Sequence, residues 1–503
     1  MKSSTAIAQP ARFTVVLIFL LAAFLSTLFC SCASPLFRLE GALDQCCFLR
    51  AGAAWANGML PYADFVDVKG PLLFLLHKWA WQLSPGSTWG MWGMETAVLA
   101  LTLLFLYKIA RVMCLERSHA CISAVLVLPL VLMPELYGGG ARVEMYTACV
   151  LAFLLWQTCC FYSLAGHECK LAAWYGAVTG IAFGICLLLK YNACTPAVTA
   201  LACACAYLLH KKATTAALVM VGCSALAVAA ACLPFVIYLV ATGTWEDCLN
   251  VYFTLNAETL CNSSTFSLER MIHFGFKAMQ DKATLAGLVT LPFLALHPWR
   301  ARGYAKPCTL FLIGVSAFAS AFAGNFSYYL LYCAPLAAFP TIFVCSRFRG
   351  ELKPVTLVSA CILLALLAGR LNGSWDVRCH LKFTQKLSPG LQALEDAAAA
   401  RPSGTIMFLG TLDWGTGLLS ARLLPACPEW FTLNGAPPDF VQRQYQAIRN
   451  RKPDFVVLGH LNLAVPEAEL VALLESSGYT RFPVPGGGGR GVREDLVFYI
   501  KSR

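Results

Sequence analysis

The sequence predicts an α-helical polytopic membrane protein with about eleven transmembrane helices, followed by a small C-terminal α/β domain outside the membrane. Three observations predict it. First, the 503 residues are 58% hydrophobic and 13% charged, against roughly 45–50% and about 25% for an ordinary soluble domain. That composition excludes a water-soluble enzyme. Second, the apolar residues gather into about eleven runs of about 17 to 25 residues, each long enough at 1.5 Å per residue to cross a hydrocarbon core of about 30 Å. Third, after about residue 372 the charges return and the apolar runs shrink to strand length.

The first span starts at Phe13, runs through Leu28 and continues to about Phe37, behind Lys2 and Arg12. A basic flank ahead of the first span predicts a cytoplasmic N-terminus. Phe13 to Ser34 also has the basic start, apolar middle and small residues of a signal peptide, but its apolar run is long for a signal core, so it is read as a retained span. Counting apolar residues between charges places further spans near 89–107, 120–137, 145–166, 171–189, 191–209, 213–242, 283–298, 307–323, 328–346 and 353–371. In that topology the cytoplasmic segments carry 14 Lys and Arg in 48 residues and the outer ones 9 in 105. The greater than threefold density on one side follows the positive-inside rule and puts the C-terminus outside. The chain therefore divides into a transmembrane domain, 1–371, with a first outer loop at 38–88, and an extracytoplasmic domain, 372–503. The expected location is the cytoplasmic (inner) membrane.

The formal charge of +11 does not indicate nucleic acid, because the cations are spread over loops and no basic stripe with interleaved aromatics occurs. Most of the 24 cysteines sit inside spans, where a thiol packs as a small apolar group. None has zinc-ligand spacing. Outside the membrane, Cys379 and Cys427 are candidates to pair in an oxidising compartment. In the C-terminal domain, Thr405–Leu409, Phe455–Gly459 and Leu496–Ile500 read as short buried strands, and 389–400, 437–450 and 466–477 as helices, with Pro437 and Pro466 at helix starts. Gly486 to Gly491 satisfies GxGxxG, but it precedes a strand instead of following one, so it reads as a hairpin loop and not a dinucleotide site.

Polar groups near a bilayer are costly and mark candidate chemistry. The first outer loop holds most of them: Asp44, Gln45, Asn57, Asp64, Asp67 and Lys69. Asp44, Phe48 and Trp55 share one face of a helix, which predicts a segment lying along the membrane surface with Asp44 at its leading end. Read alone, Asp44 is equally a first-turn helix acid, and Asp64 and Asp67 are turn acids beside Pro61 and Gly70.

The pattern Asp44…Phe48…Gly58-x-x-Pro61-Tyr62-x-Asp64-x-x-Asp67-x-Lys69-x-Pro71 resembles the first outer loop of the GT-C glycosyltransferases, in the branch of protein O-mannosyltransferase-like and lipid A aminoarabinose transferase-like bacterial enzymes. Gly138-Gly-Gly-Ala-Arg142-Val-Glu144, Gly180…Gly184…Lys190-Tyr191-Asn192 and Tyr328-Tyr329…Tyr332…Pro335 are similar to later segments of that family, in the same order. Where the family usually carries a second acid, this chain has Gln45.

The resemblance implies a GT-C-like membrane fold and transfer of a sugar from a polyprenyl-phosphate donor to a glycolipid, polysaccharide or protein acceptor outside the membrane. It implies that Asp44 is the general base and that Lys69 holds the carrier phosphate. Chemically, one carboxylate suffices to take the acceptor's proton, and an ammonium neutralises charge growing on a phosphate leaving group. Asp64, Asp67, Arg142, Glu144, Lys190, Tyr328 and Tyr329 are further candidates for substrate or phosphate contacts. Arg142 offers a bidentate phosphate contact, and Glu144 could orient sugar hydroxyls. Interfacial anchoring is an equal reading of Lys190 and the plainer reading of the tyrosine pair. The sequence identifies no certain cofactor, and the carboxylates at 64, 67 and 144 leave a divalent metal open. A transporter or lipid flippase is the rival from another class, disfavoured because no internal repeat is evident. An inactive scaffold on the same fold is a third reading, kept open by Gln45.

Overall fold

The computed structural model describes residues 12–37, 44–164, 168–258, 305–322, 327–348, 350, 352–372, 396–401, 404–410, 422–432, 437–459, 465–481 and 497–502. Among them, helices long and apolar enough to cross a membrane are Phe13–Cys30, Trp89–Val112, Val143–Ser163, Cys169–Leu189, Tyr191–His210, Thr214–Ala241 and Tyr328–Cys345. Shorter apolar helices occupy Arg117–Val131, Ala305–Ser320 and Pro354–Gly369. Ten of the eleven expected spans thus coincide with apolar helix, and the span near 283–298 lies outside the described residues.

Several ends and interiors differ from expectation, and proline accounts for most of the differences. The first helix stops at Cys30 and not near Phe37. Pro35 disfavours helical backbone at Ser34, and the Leu36 amide donates to the Ser34 hydroxyl instead. The expected span 120–137 is three helical pieces, Arg117–Val125, Leu128–Val131 and Pro134–Tyr137, since Pro129 and Pro134 offer no N–H to the preceding turn. Around Pro335 the chain winds as a 3-10 helix, Ser327–Ala337, before the α-helix Ala338–Cys345 begins.

The chain forms two compact units, neither of them continuous in sequence. The first comprises Met1–Ser31, Met94–Pro234 and Ser267–Ser374, and the second Cys32–Gly93, Phe235–Phe266 and Trp375–Arg503. The segment Cys32–Gly93 therefore groups with the C-terminal residues and with the end of the apolar helix Thr214–Ala241.

In the first unit, Arg12–Cys30 packs along Pro354–Asn372, with the Ser26 hydroxyl donating to the Ala365 carbonyl and the Cys30 thiol to the Gly369 carbonyl, each at 3.4 Å. Gly176, Gly180 and Gly184 form a small-residue ridge on Cys169–Leu189 that lies against Met220, Ser224 and Ala231 of Thr214–Ala241. Lipid supplies little hydrophobic drive between helices, so such close backbone approach is what holds them. A Cβ at Gly180 would collide with the Ser224 carbonyl. Gly180→Ala is expected to destabilise the detergent-purified protein by about 1–3 kcal/mol, read as a lowered thermal unfolding midpoint. Gly222, which has open space around it, is the control position.

In the second unit, helix Asp44–Ala56 packs against Pro71–Leu83, and a Cβ at Gly52 would strike the His77 backbone. Residues Gln45 to Trp55 are all buried. The helix is packed on every side within its unit, its small residues Ala51 to Ala54 admitting close neighbours. The Arg50 guanidinium donates to the Leu423 carbonyl and lies over the Phe408 ring.

The sheet runs in the order β2 (Leu424–Pro425), β1 (Thr405–Leu409), β3 (Phe455–Leu458), β5 (Val497–Lys501), β4 (Tyr479–Arg481). β1 pairs in parallel with β2 and β3, while β5 is antiparallel to both β3 and β4. β3 is buried throughout, as a strand covered on both faces must be. Helices Pro438–Arg449 and Glu467–Ser476 match the expected ones, and 396–399, the described part of 389–400, is helical. β2 and β4 were not anticipated, being too short to leave a periodic signal. Gly486–Gly491 and Cys379 lie outside the described residues, and Cys427 is buried.

Candidate active site

The candidate residues fall into two clusters, one in each unit. In the second unit Asp44 is the first residue of its helix and half-buried. One turn on, the Phe48 ring lies 5.5 Å from the Lys69 ammonium, a cation–π contact. Lys69 Nζ stands 3.3 Å from Asp67 Oδ1. Asp67 is 4% exposed. Burial pushes its carboxyl above the usual range, Lys69 pulls it back down, and the charge of Asp44 pushes it up again. Asp44, Phe48, Asp67 and Lys69 are thus brought into one electrostatic neighbourhood.

The loop between the two helices is held by its own backbone. The Leu60 amide donates to Asp64 Oδ2 at 2.7 Å and the Tyr62 amide to the Phe65 carbonyl at 2.9 Å. Asp64 closes this turn. Tyr62 has φ +70°, an uncommon backbone for a non-glycine residue, and its hydroxyl donates to the Lys69 carbonyl at 2.8 Å. From elsewhere in the same unit, the Val66 amide donates to the Pro428 carbonyl at 2.9 Å and the Asn256 side chain to the Val68 carbonyl at 3.2 Å. Tyr62 and Asn256 thereby help to set where Lys69 sits, and no spacing in the sequence announces either role.

His77 backs this cluster, 5.5 Å edge-on from the Phe48 ring. Its Nδ1–H donates to the Leu73 carbonyl at 2.9 Å. Burial pulls the imidazole from 6.5 down to about 4, with that hydrogen bond opposing. Between those values the unfolded chain binds a proton that the folded chain refuses, so the stability His77 contributes above pH 6.5 is lost as pH falls toward 4. At about 1.4 kcal/mol per unit the loss is on the order of 3 kcal/mol. In thermal melts across that range, His77→Gln is expected to lose less stability than the wild type; equal slopes would assign the loss to other groups.

In the first unit, Glu144 is in the first turn of Val143–Ser163 and Lys190 caps the end of Cys169–Leu189. Lys190 Nζ is 2.8 Å from Glu144 Oε1 and 3.6 Å from the centroid of the Tyr329 ring. The Arg142 guanidinium lies 4.0 Å over the Tyr328 ring, and its Nε donates to the Gly138 carbonyl at 3.3 Å. Tyr328 and Tyr329 stack at 5.1 Å, so the two aromatic faces carry one cation each. The Tyr332 hydroxyl approaches Asn192 Oδ1 at 3.5 Å. Arg142, Glu144, Lys190, Tyr328 and Tyr329 therefore form one polar group. Thr147, Leu151, Cys186, Ala197 and Tyr332 line a narrow, mostly apolar crevice in the same unit.

Among the described residues, no three His, Cys, Asp or Glu side chains are grouped to hold a metal ion. Asp64 serves its turn, while Asp67 and Glu144 each face a lysine.

The chain is an α-helical polytopic protein with helices, among the described residues, long and apolar enough to cross a membrane, and solved structures share its fold. Among solved structures it is similar to ArnT from Cupriavidus metallidurans bound to undecaprenyl phosphate, with TM-score 0.61 and 12% identity over 97% of this chain and 98% of that one. The apo state of the same ArnT aligns with TM-score 0.59 and 12% identity over 96% and 97%. AglB, the oligosaccharyltransferase of Archaeoglobus fulgidus in complex with an inhibitory peptide and a dolichol-phosphate, aligns at 0.48 with 12% identity over 98% and 74%. No family model and no curated protein matches the sequence.

Proposed function

We propose that this protein is an integral-membrane glycosyltransferase that moves a sugar from a polyprenyl-phosphate donor to an acceptor outside the cytoplasmic membrane. The observation that carries the reading is the grouping of Asp44, Asp67 and Lys69 beside Phe48. It joins a carboxylate able to take a proton to a cation able to meet a phosphate. Support comes from the likeness over nearly the whole chain to a protein bound to undecaprenyl phosphate.

In the proposed reaction, Asp44 accepts the proton of the acceptor's hydroxyl or amine. The acceptor atom bonds to the anomeric carbon with inversion as the carbon–oxygen bond to phosphate breaks, and that electron pair leaves with the polyprenyl phosphate. Lys69 neutralises the charge growing there, and Asp67 orients Lys69. Asp64 keeps the loop closed. In the first unit, Arg142 and Lys190 are the proposed anion contacts, Glu144 orients sugar hydroxyls, and Tyr328 and Tyr329 hold the two cations against their ring faces. The orientation proposed from the Lys and Arg distribution has the N-terminus cytoplasmic and residues 372–503 extracytoplasmic.

Membranes containing the protein, supplied with radiolabelled polyprenyl-phosphate sugar, should pass label to an acceptor and accumulate free polyprenyl phosphate. Label that crosses the bilayer still attached to its carrier would replace the transferase reading with a flippase.

A further inference from the structure

One ionisable side chain in the first unit has no part in the reaction above. Glu95 lies in the apolar helix Trp89–Val112 and is fully buried. Three donors converge on its carboxyl group. The Ser31 hydroxyl donates to Oε2 at 2.5 Å, the Tyr137 hydroxyl donates to Oε1, and the Ala141 amide donates as well. A buried acid in a membrane helix is costly to keep and points to a role.

Two of those donors bracket a peculiar stretch of backbone. Gly138, Gly139, Gly140 and Ala141 follow one another with φ +53°, +84°, +86° and +48°. Glycine adopts that region freely and alanine only at a cost, so such a run ending in Ala141 persists where its surroundings over-determine it. Glu95 supplies that constraint: Tyr137 and Ala141 bind it at either end, and Gly140 lies so close that any Cβ would overlap its carboxyl. Arg142 is the next residue, tied back to the Gly138 carbonyl and laid over Tyr328.

We infer that Glu95 is a positioning residue that shapes the 138–141 loop and so presents Arg142 to an anionic ligand of the phosphate-ester class. The ligand part rests on the proposed polyprenyl-phosphate reading; the part concerning the loop does not. Gln has one acceptor oxygen and would face three donors with an NH₂ group, so Glu95→Gln should loosen the loop while preserving volume.

The test uses the full-length detergent-purified protein, with undecaprenyl phosphate as the probe. Arg142→Ala is expected to weaken binding about tenfold or more, the scale of a lost charge-assisted contact. Glu95→Gln should weaken it in the same direction, and the double variant should be no weaker than Arg142→Ala alone, because the two residues act through one contact. Hydrogen exchange of the peptide covering 137–142 should accelerate in Glu95→Gln, with 176–184 unchanged. Ser31→Ala, which removes a single donor, gives a smaller change in the same sense and serves if Glu95→Gln does not fold. Multiplying losses in the double variant, or unchanged exchange at 137–142, would overturn the inference. If the wild type does not bind undecaprenyl phosphate, the carrier reading falls, and the exchange measurement alone decides whether Glu95 organises the loop.

Discussion

Asp44→Asn is expected to reduce sugar transfer by about 10²–10⁴-fold, the usual contribution of a positioned general base, with the protein still folded. The substitution separates two roles that coincide at this residue. As the first residue of the Asp44–Ala56 helix, Asp44 also favours the helix dipole, an effect of about 0.3–1 kcal/mol. Asparagine keeps the size and the hydrogen-bonding oxygen of aspartate and is itself a favoured residue at helix starts, so the helix survives. What it cannot do is accept the acceptor's proton at neutral pH. It also removes one of the charges that push Asp67 upward, so Asp67 should titrate lower in the variant. Turnover measured against retained undecaprenyl phosphate binding is the check. Equal turnover in both proteins would leave Asp44 as a helix acid and remove the proposed base.

Lys190→Ala is expected to cost about 3–5 kcal/mol of stability, because it strands Glu144 without its partner. Glu144 is 1% exposed, and its carboxylate meets Lys190 at 2.8 Å. The loss also frees the Tyr329 face that the ammonium covers. Adding Glu144→Gln to Lys190→Ala should restore a large part of the stability, since the uncompensated carboxylate is then gone. Thermal unfolding of the three variants beside the wild type measures this. If Lys190→Ala melts with the wild type, the pair is no structural support, and Lys190 returns to the class of interfacial anchors.

The membrane architecture was legible from run length, because 20 apolar residues have few alternatives to a buried helix. Where that reading slipped, the cause was local and visible in the residues: Pro35, Pro129, Pro134 and Pro335 each interrupt a run counted as continuous. The C-terminal strands Thr405–Leu409 and Phe455–Leu458 were legible as short apolar runs, whereas two-residue β2 and three-residue β4 take their identity from the partner strand.

The site was legible by residue type and not by partnership. Asp44, Asp67 and Lys69 were named as candidates within one loop, but the spacing could not show that Asp67 holds Lys69 or that Asp64 is committed to a turn. Arg142 and Tyr328 are 186 positions apart and meet face to face. Glu95 had a readable signal, a lone acid in an apolar span, yet its meaning lies in Ser31, Tyr137 and Ala141.

Composition and run length alone dictated a polytopic helical chain with polar residues concentrated outside its spans, because the cost of placing backbone and charge in hydrocarbon is paid segment by segment. Long-range packing decided the rest. It made the Asp44–Ala56 helix an interior element, gathered Cys32–Gly93 with the C-terminal sheet into one compact unit, and chose the partners of buried charges such as Asp67 and Glu144. Burial and ion pairing belong to the surroundings of a residue, and only the folded chain specifies those surroundings.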